Sequence, residues 1–157
     1  MEITKSESLS RQQKLDILEL WNQEYPEALS LSDLDAFEDY LQNLSDQHHL
    51  IVSEEGGTVM GWLIYFIRDD ERCFAMLLNK SLQGKGWGSR LLNLAKAYNP
   101  ELNGWVIDHD TEPKRNGENY KSPIEFYRKN GFEILPDIQW KKKNINGIKV
   151  RWQAKNK

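Results

Sequence analysis

The chain has one cysteine, Cys73, among 157 residues. A single thiol excludes an internal disulfide framework and a cysteine-rich metal site. Long apolar runs are missing too. The longest, around Val59 to Ile67, falls well short of the ~20 residues a membrane helix needs. The N-terminus, Met1 to Lys14, is polar and carries no apolar signal core. These absences set the expectation of a cytoplasmic protein with no membrane partner. No repeat and no low-complexity segment breaks the chain. What is present is an ordinary globular mixture, 39% hydrophobic and 29% charged. At this length that supports a real core and predicts one domain over 1–157.

The net charge of −3 conceals an asymmetry. Residues 1–55 carry 13 acids and 3 bases, and residues 56–157 carry 11 acids and 18 bases. A basic half suits an anionic ligand and an acidic half a cationic one, although solvated helix faces account for the acids equally well. The tail from Lys141 is basic, but the sequence pI near 5.7 and the lack of a nucleic-acid motif argue against a nucleic-acid partner.

Periodicity predicts the order α-α-β-β-β-α-β-α-β-β, an α/β domain with a mixed sheet. A first helix follows Ser10 and stops at Pro26. A second follows Ser32 or Asp33, with Leu34, Phe37, Tyr40, Leu41 and Leu44 as its stripe. Strands Leu50–Ser53 and Val59–Arg68 form a hairpin around Gly56-Gly57. A third strand, Arg72 to Leu82, runs into the glycine loop, and a helix from Gly88 to Tyr98 runs out of it. Gly104 to Asp110 is a short buried strand, and Thr111 to Ser122 an exposed loop. Ser122 as N-cap, Pro123 in the first turn and Gly131 after the last predict a short helix. Two final strands close the chain.

The segment QGKGWG, Gln83 to Gly88, has glycines at 84, 86 and 88. A nucleotide P-loop needs Gly-Lys followed by a hydroxyl residue, and here Gly86 follows Gly84-Lys85. A dinucleotide fingerprint fits only in part, since Ser89 stands in place of its third glycine. The remaining pattern, Gln83-x-x-Gly86-x-Gly88, resembles the pyrophosphate loop of the GNAT superfamily of N-acetyltransferases. Side-chain-free backbone at a helix start is suited to an anion. A second motif, Phe126-Tyr127 followed by Gly131-Phe132, resembles the C-terminal signature of the same superfamily, in the correct order.

The resemblance implies a mostly antiparallel twisted sheet flanked by helices, with a central wedge between two parallel strands. It implies an acetyl-CoA-dependent enzyme that acetylates a primary amine, on a small molecule or a protein, by direct attack and without a metal. The alternative is a non-catalytic acyl-CoA-binding module that senses or regulates. By the resemblance, Met76, Leu77 and Leu78 offer backbone groups to the pantetheine arm, and the Leu78 amide binds the thioester oxygen. Gln83, Gly84, Lys85, Gly86, Trp87, Gly88 and Ser89 hold the pyrophosphate, with Arg90 as a further candidate. Tyr127 matches the general acid. Asp108 is the expected base, directly or through water. Position 120, often Asn in the superfamily, is Tyr120 here, so Asn119, Tyr120 or Ser122 takes over a pantetheine contact. Asp33, Asp35, Glu38 and Asp39 are placed to attract a cationic acceptor, and Trp21, Tyr25, Trp62, Trp140 and Trp152 to add an aromatic wall. The adjacent His48 and His49 point to opposite faces of a strand and make a poor metal site. A monomer or a homodimer is expected.

Overall fold

The computed structural model describes residues 1–155 of the chain, so the last two residues of the expected domain lie outside the described residues. Seven strands form one sheet: β1 Glu2–Ser6, β2 Ser45–Ser53, β3 Val59–Arg68, β4 Glu71–Leu78, β5 Glu101–Ile107, β6 Glu133–Lys142 and β7 Ile145–Gln153. The helices are α1 Arg11–Glu24, α2 Leu34–Gln42, α3 Trp87–Tyr98 and α4 Ile124–Lys129. Strand order is β1-β2-β3-β4-β5-β7-β6, antiparallel everywhere except between β4 and β5. The expected mixed sheet with two parallel central strands is present.

Local chemistry explains the helix boundaries. Ser10 Oγ accepts from the Gln13 amide at 3.1 Å, and Gln13 Oε1 accepts from the Ser10 amide at 2.9 Å. This reciprocal pair satisfies two amides that the first turn of α1 leaves free. Asp33 Oδ1 accepts from the Ala36 amide at 2.9 Å, so of the two expected caps of α2 it is Asp33 that serves. Gly131, at φ 85, ends α4 as expected. The start of α4 differs from expectation. The helix begins at Ile124, Pro123 sits at the cap, and Ser122 Oγ makes only a 3.4 Å contact with the Ile124 amide. The Ser122 amide is instead held by Asp110 Oδ1 at 2.7 Å, which fixes the approach to the helix.

Alternation along the strands separates two cores. Trp62, Ile64, Phe66, Cys73 and Leu77 pack under α1 and α2 with Ile17, Leu20 and Phe37. Leu63, Tyr65, Phe74, Val106 and Val150 pack on the other face with Leu91, Leu92 and Tyr127. His49 is buried among these layers, and its Nδ1 accepts from the Trp62 indole at 3.0 Å. His48 lies on the opposite face, stacked on Tyr65 at 4.9 Å between ring centroids.

The strand β1 was not expected. Its sequence EITKS is mostly exposed, and it is held by antiparallel pairing of Glu2 to Ser6 with β2. The strand β2 also starts five residues before the expected Leu50, beyond a bulge that includes Asp46 at φ 50. The third expected strand stops at Leu78, because Asn79 Oδ1 accepts from the Ser81 amide and turns the chain into a short 3-10 turn, Lys80–Leu82.

One end of the β4–β5 junction is tightly laced. Glu71 of β4 receives two bonds from Lys149 Nζ of β7, at 2.7 and 2.9 Å. Arg151 Nη2 reaches the same carboxylate at 3.3 Å, and Arg151 Nε donates to Asn103 Oδ1 at 2.9 Å. The other end is open.

Candidate active site

The strands β4 and β5 share a single pairing, Cys73 with Asn103, and then diverge. Register decides which backbone groups face the gap. Leu78 lies opposite Gly61, and the Asn79 amide donates to the Met60 carbonyl at 2.8 Å. In an antiparallel ladder bonded pairs alternate with unbonded ones. Asn79 and Leu77 therefore direct their backbone groups to β3, while Met76 and Leu78 direct theirs into the gap. The expectation for Leu77 is corrected: its amide and carbonyl are committed to the ladder opposite Trp62. Met76 keeps both of its groups, and Leu78 its amide, free for a ligand.

The glycine loop stands at the mouth of this wedge. Gly84 and Gly86 have φ of 76 and 88, and a side chain on either would meet nothing within 4 Å. Their backbone is both left-handed and open, a combination that favours glycine. Gly86 caps α3 with its carbonyl, which accepts from the Arg90 amide at 3.1 Å. The amides of Trp87, Gly88 and Ser89 fall in the first turn, where a helix offers no internal acceptor, and the positive end of the helix is added to them. Gly88 has a different reason to be small. A Cβ there would lie 2.8 Å from Phe126 Cζ, so the absent side chain lets α4 seat against α3.

The other loop residues divide. Gln83 Nε2 donates to the Leu78 carbonyl at 3.1 Å, clamping the loop to the end of β4. Gly84, Gly86, Gly88 and Ser89 line the cavity, whereas Lys85 and Trp87 do not. Arg90 stacks on Trp87, its guanidinium carbon 4.2 Å from the ring centroid.

The wedge opens into a cavity of about 950 Å³. Tyr127 lines it, 6% exposed, with Phe74, Phe126 and Phe132 at ring distances of 5.7, 5.2 and 5.2 Å. Its hydroxyl makes no hydrogen bond among the described residues. Burial first, and Tyr120 second, hold its pKa far above the ordinary phenol value. Burial also pushes Tyr120 up to about 12.

The long segment after β5 forms a wall. Pro113 bridges Asn119, and Lys114 bridges Pro26, with the Glu27 amide donating to the Pro113 carbonyl at 2.9 Å. His109 locks the turn, with one ring nitrogen 3.1 Å from Asp108 and the other 2.8 Å from Glu112. Those two carboxylates raise its pKa, Glu112 more than Asp108. Asn119, Tyr120 and Ser122, the three candidates for the pantetheine contact, all line the cavity.

Asp108, the expected base, does not line it. The strand β5 ends at Ile107, and Asp108 lies exposed in the turn, its carboxylate directed to His109. Glu24, which sequence reasoning did not single out, does line the cavity and is 10% exposed. It accepts from the Lys80 amide at 3.1 Å and stands 3.8 Å from Lys114 Nζ. Nothing in the local sequence marks it, because its place depends on α1 ending over the loop after β4. The expected acidic rim is absent from the cavity wall: Asp33 is spent on its cap, Glu38 faces Lys14 at 3.7 Å, and Asp35 and Asp39 lie elsewhere. Of the expected aromatic wall, Trp21, Tyr25 and Trp140 line the cavity, while Trp62 is core and Trp152 packs on the opposite face.

Among the described residues no cluster of three or more His, Cys, Asp or Glu side chains is placed to hold a metal ion, and no helix is long and apolar enough to cross a membrane.

A wedge in the sheet, a glycine-capped helix at its mouth and a buried tyrosine beside it define the site. A family model described as an acetyltransferase (GNAT) domain matches residues 46–134, and the chain belongs to that family. Solved structures agree on the fold. An aminoglycoside 6'-N-acetyltransferase complexed with coenzyme A is 14% identical, with a TM-score of 0.72, over 100% of this chain and 99% of that one. Escherichia coli ElaA is 13% identical, with a TM-score of 0.69, over 98% of this chain and 100% of that one. The spermidine/spermine N-acetyltransferase SpeG from Vibrio cholerae is 14% identical, with a TM-score of 0.61, over 96% of this chain and 92% of that one. A search of curated proteins found no match.

Proposed function

We propose that this protein transfers an acetyl group from acetyl-CoA to a primary amine by direct attack. One observation carries the reading. The unpaired Met76 backbone and Leu78 amide open into the same cavity as the Tyr127 ring, with the bare α3 amides at its mouth. The residues fit the coenzyme. The open backbone at Gly84 and Gly86 gives a pyrophosphate room, and the wedge gives an extended pantetheine arm a ladder to bond.

Bound acetyl-CoA supplies a thioester carbonyl as the acyl donor. The Leu78 amide donates to the carbonyl oxygen and stabilises the negative charge that builds there. Tyr127 carries a proton at neutral pH and gives it to the departing sulfur. The amine must lose a proton during attack, since a lysine-like amine has a pKa of ~10.4. Glu24 takes it, directly or through water: it is the buried carboxylate of the cavity, whereas Glu118 is exposed and Asp108 does not line the cavity. Cys73 is buried beneath the wedge, and burial raises its pKa, which removes the reactive thiolate a covalent acetyl intermediate would need.

Calorimetry with acetyl-CoA, followed by free-thiol release with a panel of amines, tests the reading. Binding with turnover supports it. Binding without turnover on any amine returns the chain to a sensor role, and no binding at millimolar ligand removes both.

A further inference from the structure

The cavity continues beyond the wedge on the α1 and α2 side of the sheet, and its charge there is not what a cationic acceptor needs. Arg68 closes β3 on the same face as Trp62, Ile64 and Phe66, and lines the cavity with Tyr40 of α2 and Asn43, which caps that helix. Lys142 lines it from the β6–β7 hairpin, next to Trp140. That hairpin carries a register irregularity between Leu135 and Gln139, which bends a strand out of the plane of its neighbours. Burial first, then Lys143 and then Arg68 disfavour the charge on Lys142.

Neither cation is in an ion pair among the described residues. Among the described residues the carboxylates lining the cavity are Glu24 and Glu118, and both face lysines, Lys114 at 3.8 Å and Lys80 at 3.1 Å. Those pairs belong to the end near the glycine loop. Two unpaired cations at the far end repel a polyamine and leave their own charge uncompensated. An anion placed between them relieves both effects, and a guanidinium offers it paired donors.

We propose that Arg68 and Lys142 form an anion subsite, and that the acceptor is a primary amine bearing a carboxylate or phosphate several bonds from its amino group. The acceptor class rests on the transferase reading above. The amino group reaches the wedge, and the anionic end is held at the far wall between α2 and the hairpin.

Four probes of one chain length test this: hexylamine, diaminohexane, aminohexanoate and aminohexyl phosphate. The expected result is a kcat/KM for at least one anionic probe about tenfold above hexylamine, the scale of one charge-assisted contact, with diaminohexane the poorest. Whether aminohexanoate or aminohexyl phosphate leads identifies the anion. In the double variant Arg68→Ala, Lys142→Ala the anionic-to-neutral ratio falls toward one, and Arg68→Lys alone recovers part of it. Melting temperature and coenzyme affinity check that the variants fold. A best rate with diaminohexane, or a ratio that survives the double variant, overturns the proposal. If coenzyme A binds and no probe is acetylated, calorimetry of aminohexanoate and aminohexyl phosphate on the coenzyme A complex decides. Binding of either that the double variant loses keeps the anion subsite while the transferase reading falls. No binding of either removes the subsite.

Discussion

Gly88 and Phe126 occupy one space between them: a Cβ on the glycine would lie 2.8 Å from the Phe126 ring. Phe126 precedes Tyr127, so the fit of α3 against α4 sets the depth of the proposed acid. Gly88→Ala is expected to destabilise the fold by about 1–3 kcal/mol through overpacking and to slow turnover by displacing α4. Gly86→Ala acts differently. It strains a left-handed residue in open space, costs about 1 kcal/mol and mainly weakens coenzyme affinity. Thermal melts beside coenzyme A titrations separate the two, and equal losses of affinity would remove the distinction.

Tyr127→Phe is expected to lower kcat by roughly a hundredfold or more, with coenzyme affinity nearly unchanged. The hydroxyl makes no bond among the described residues, so its removal leaves the melting temperature almost untouched. An unchanged kcat across the pH range would take Tyr127 out of the chemistry.

Glu24→Gln is expected to reduce kcat and flatten the acid limb of the pH–rate profile, while Asp108→Asn leaves kcat within about twofold. The reverse outcome returns the base to Asp108. The comparison needs both profiles, because Glu24 also receives the Lys80 amide and its loss alone shifts the loop.

Buried tyrosines predict alkaline instability. Tyr40 and Tyr120 are both pushed up to about 12 by burial, and Tyr25 and Tyr127 are raised as well. In the unfolded chain a tyrosine releases its proton near pH ~10, so above that pH the unfolded state binds fewer protons. The stability they contribute is complete below pH ~10 and is lost as pH rises toward 12. Denaturant melts across this window should show a falling midpoint.

His49 predicts a loss at the other end. Burial depresses its pKa from 6.5 to about 4, and its neutral ring accepts from Trp62. Below 6.5 the unfolded chain takes up a proton that the folded state refuses. Stability is full above 6.5 and falls by roughly 3 kcal/mol as pH drops through the folded value near 4. The half-exposed His109 has the opposite sign, its smaller contribution present at low pH and lost as pH rises through its raised value. Urea midpoints from pH 7 to pH 4 check the sum, and a replacement at His49 that flattens the curve assigns it.

The fold was legible where patterns were strong. The α1 stripe with its Ser10 cap, the apolar run of β3 and the two glycine-bearing motifs each carry their signal within a few residues. The strand β1 was not legible, because EITKS is polar and is held by its partner rather than by its own pattern. The site divided in the same way. The glycine loop and Tyr127 belong to local motifs. Glu24, Arg68 and Lys142 come from three separate elements and share one cavity only through the packing of α1 and the bend in the last hairpin. Leu77 failed for a finer reason. Which of three adjacent residues frees its backbone depends on ladder register, which no composition reveals.

The laced end of the β4–β5 junction acts as a fulcrum. Glu71 begins an eight-residue strand whose far end is Leu78. The grip of Lys149 and Arg151 on Glu71 therefore anchors the closed end of the wedge, opposite the jaws. A change at Glu71 is expected to act on the proposed coenzyme site by leverage along the strand, without touching anything bound there.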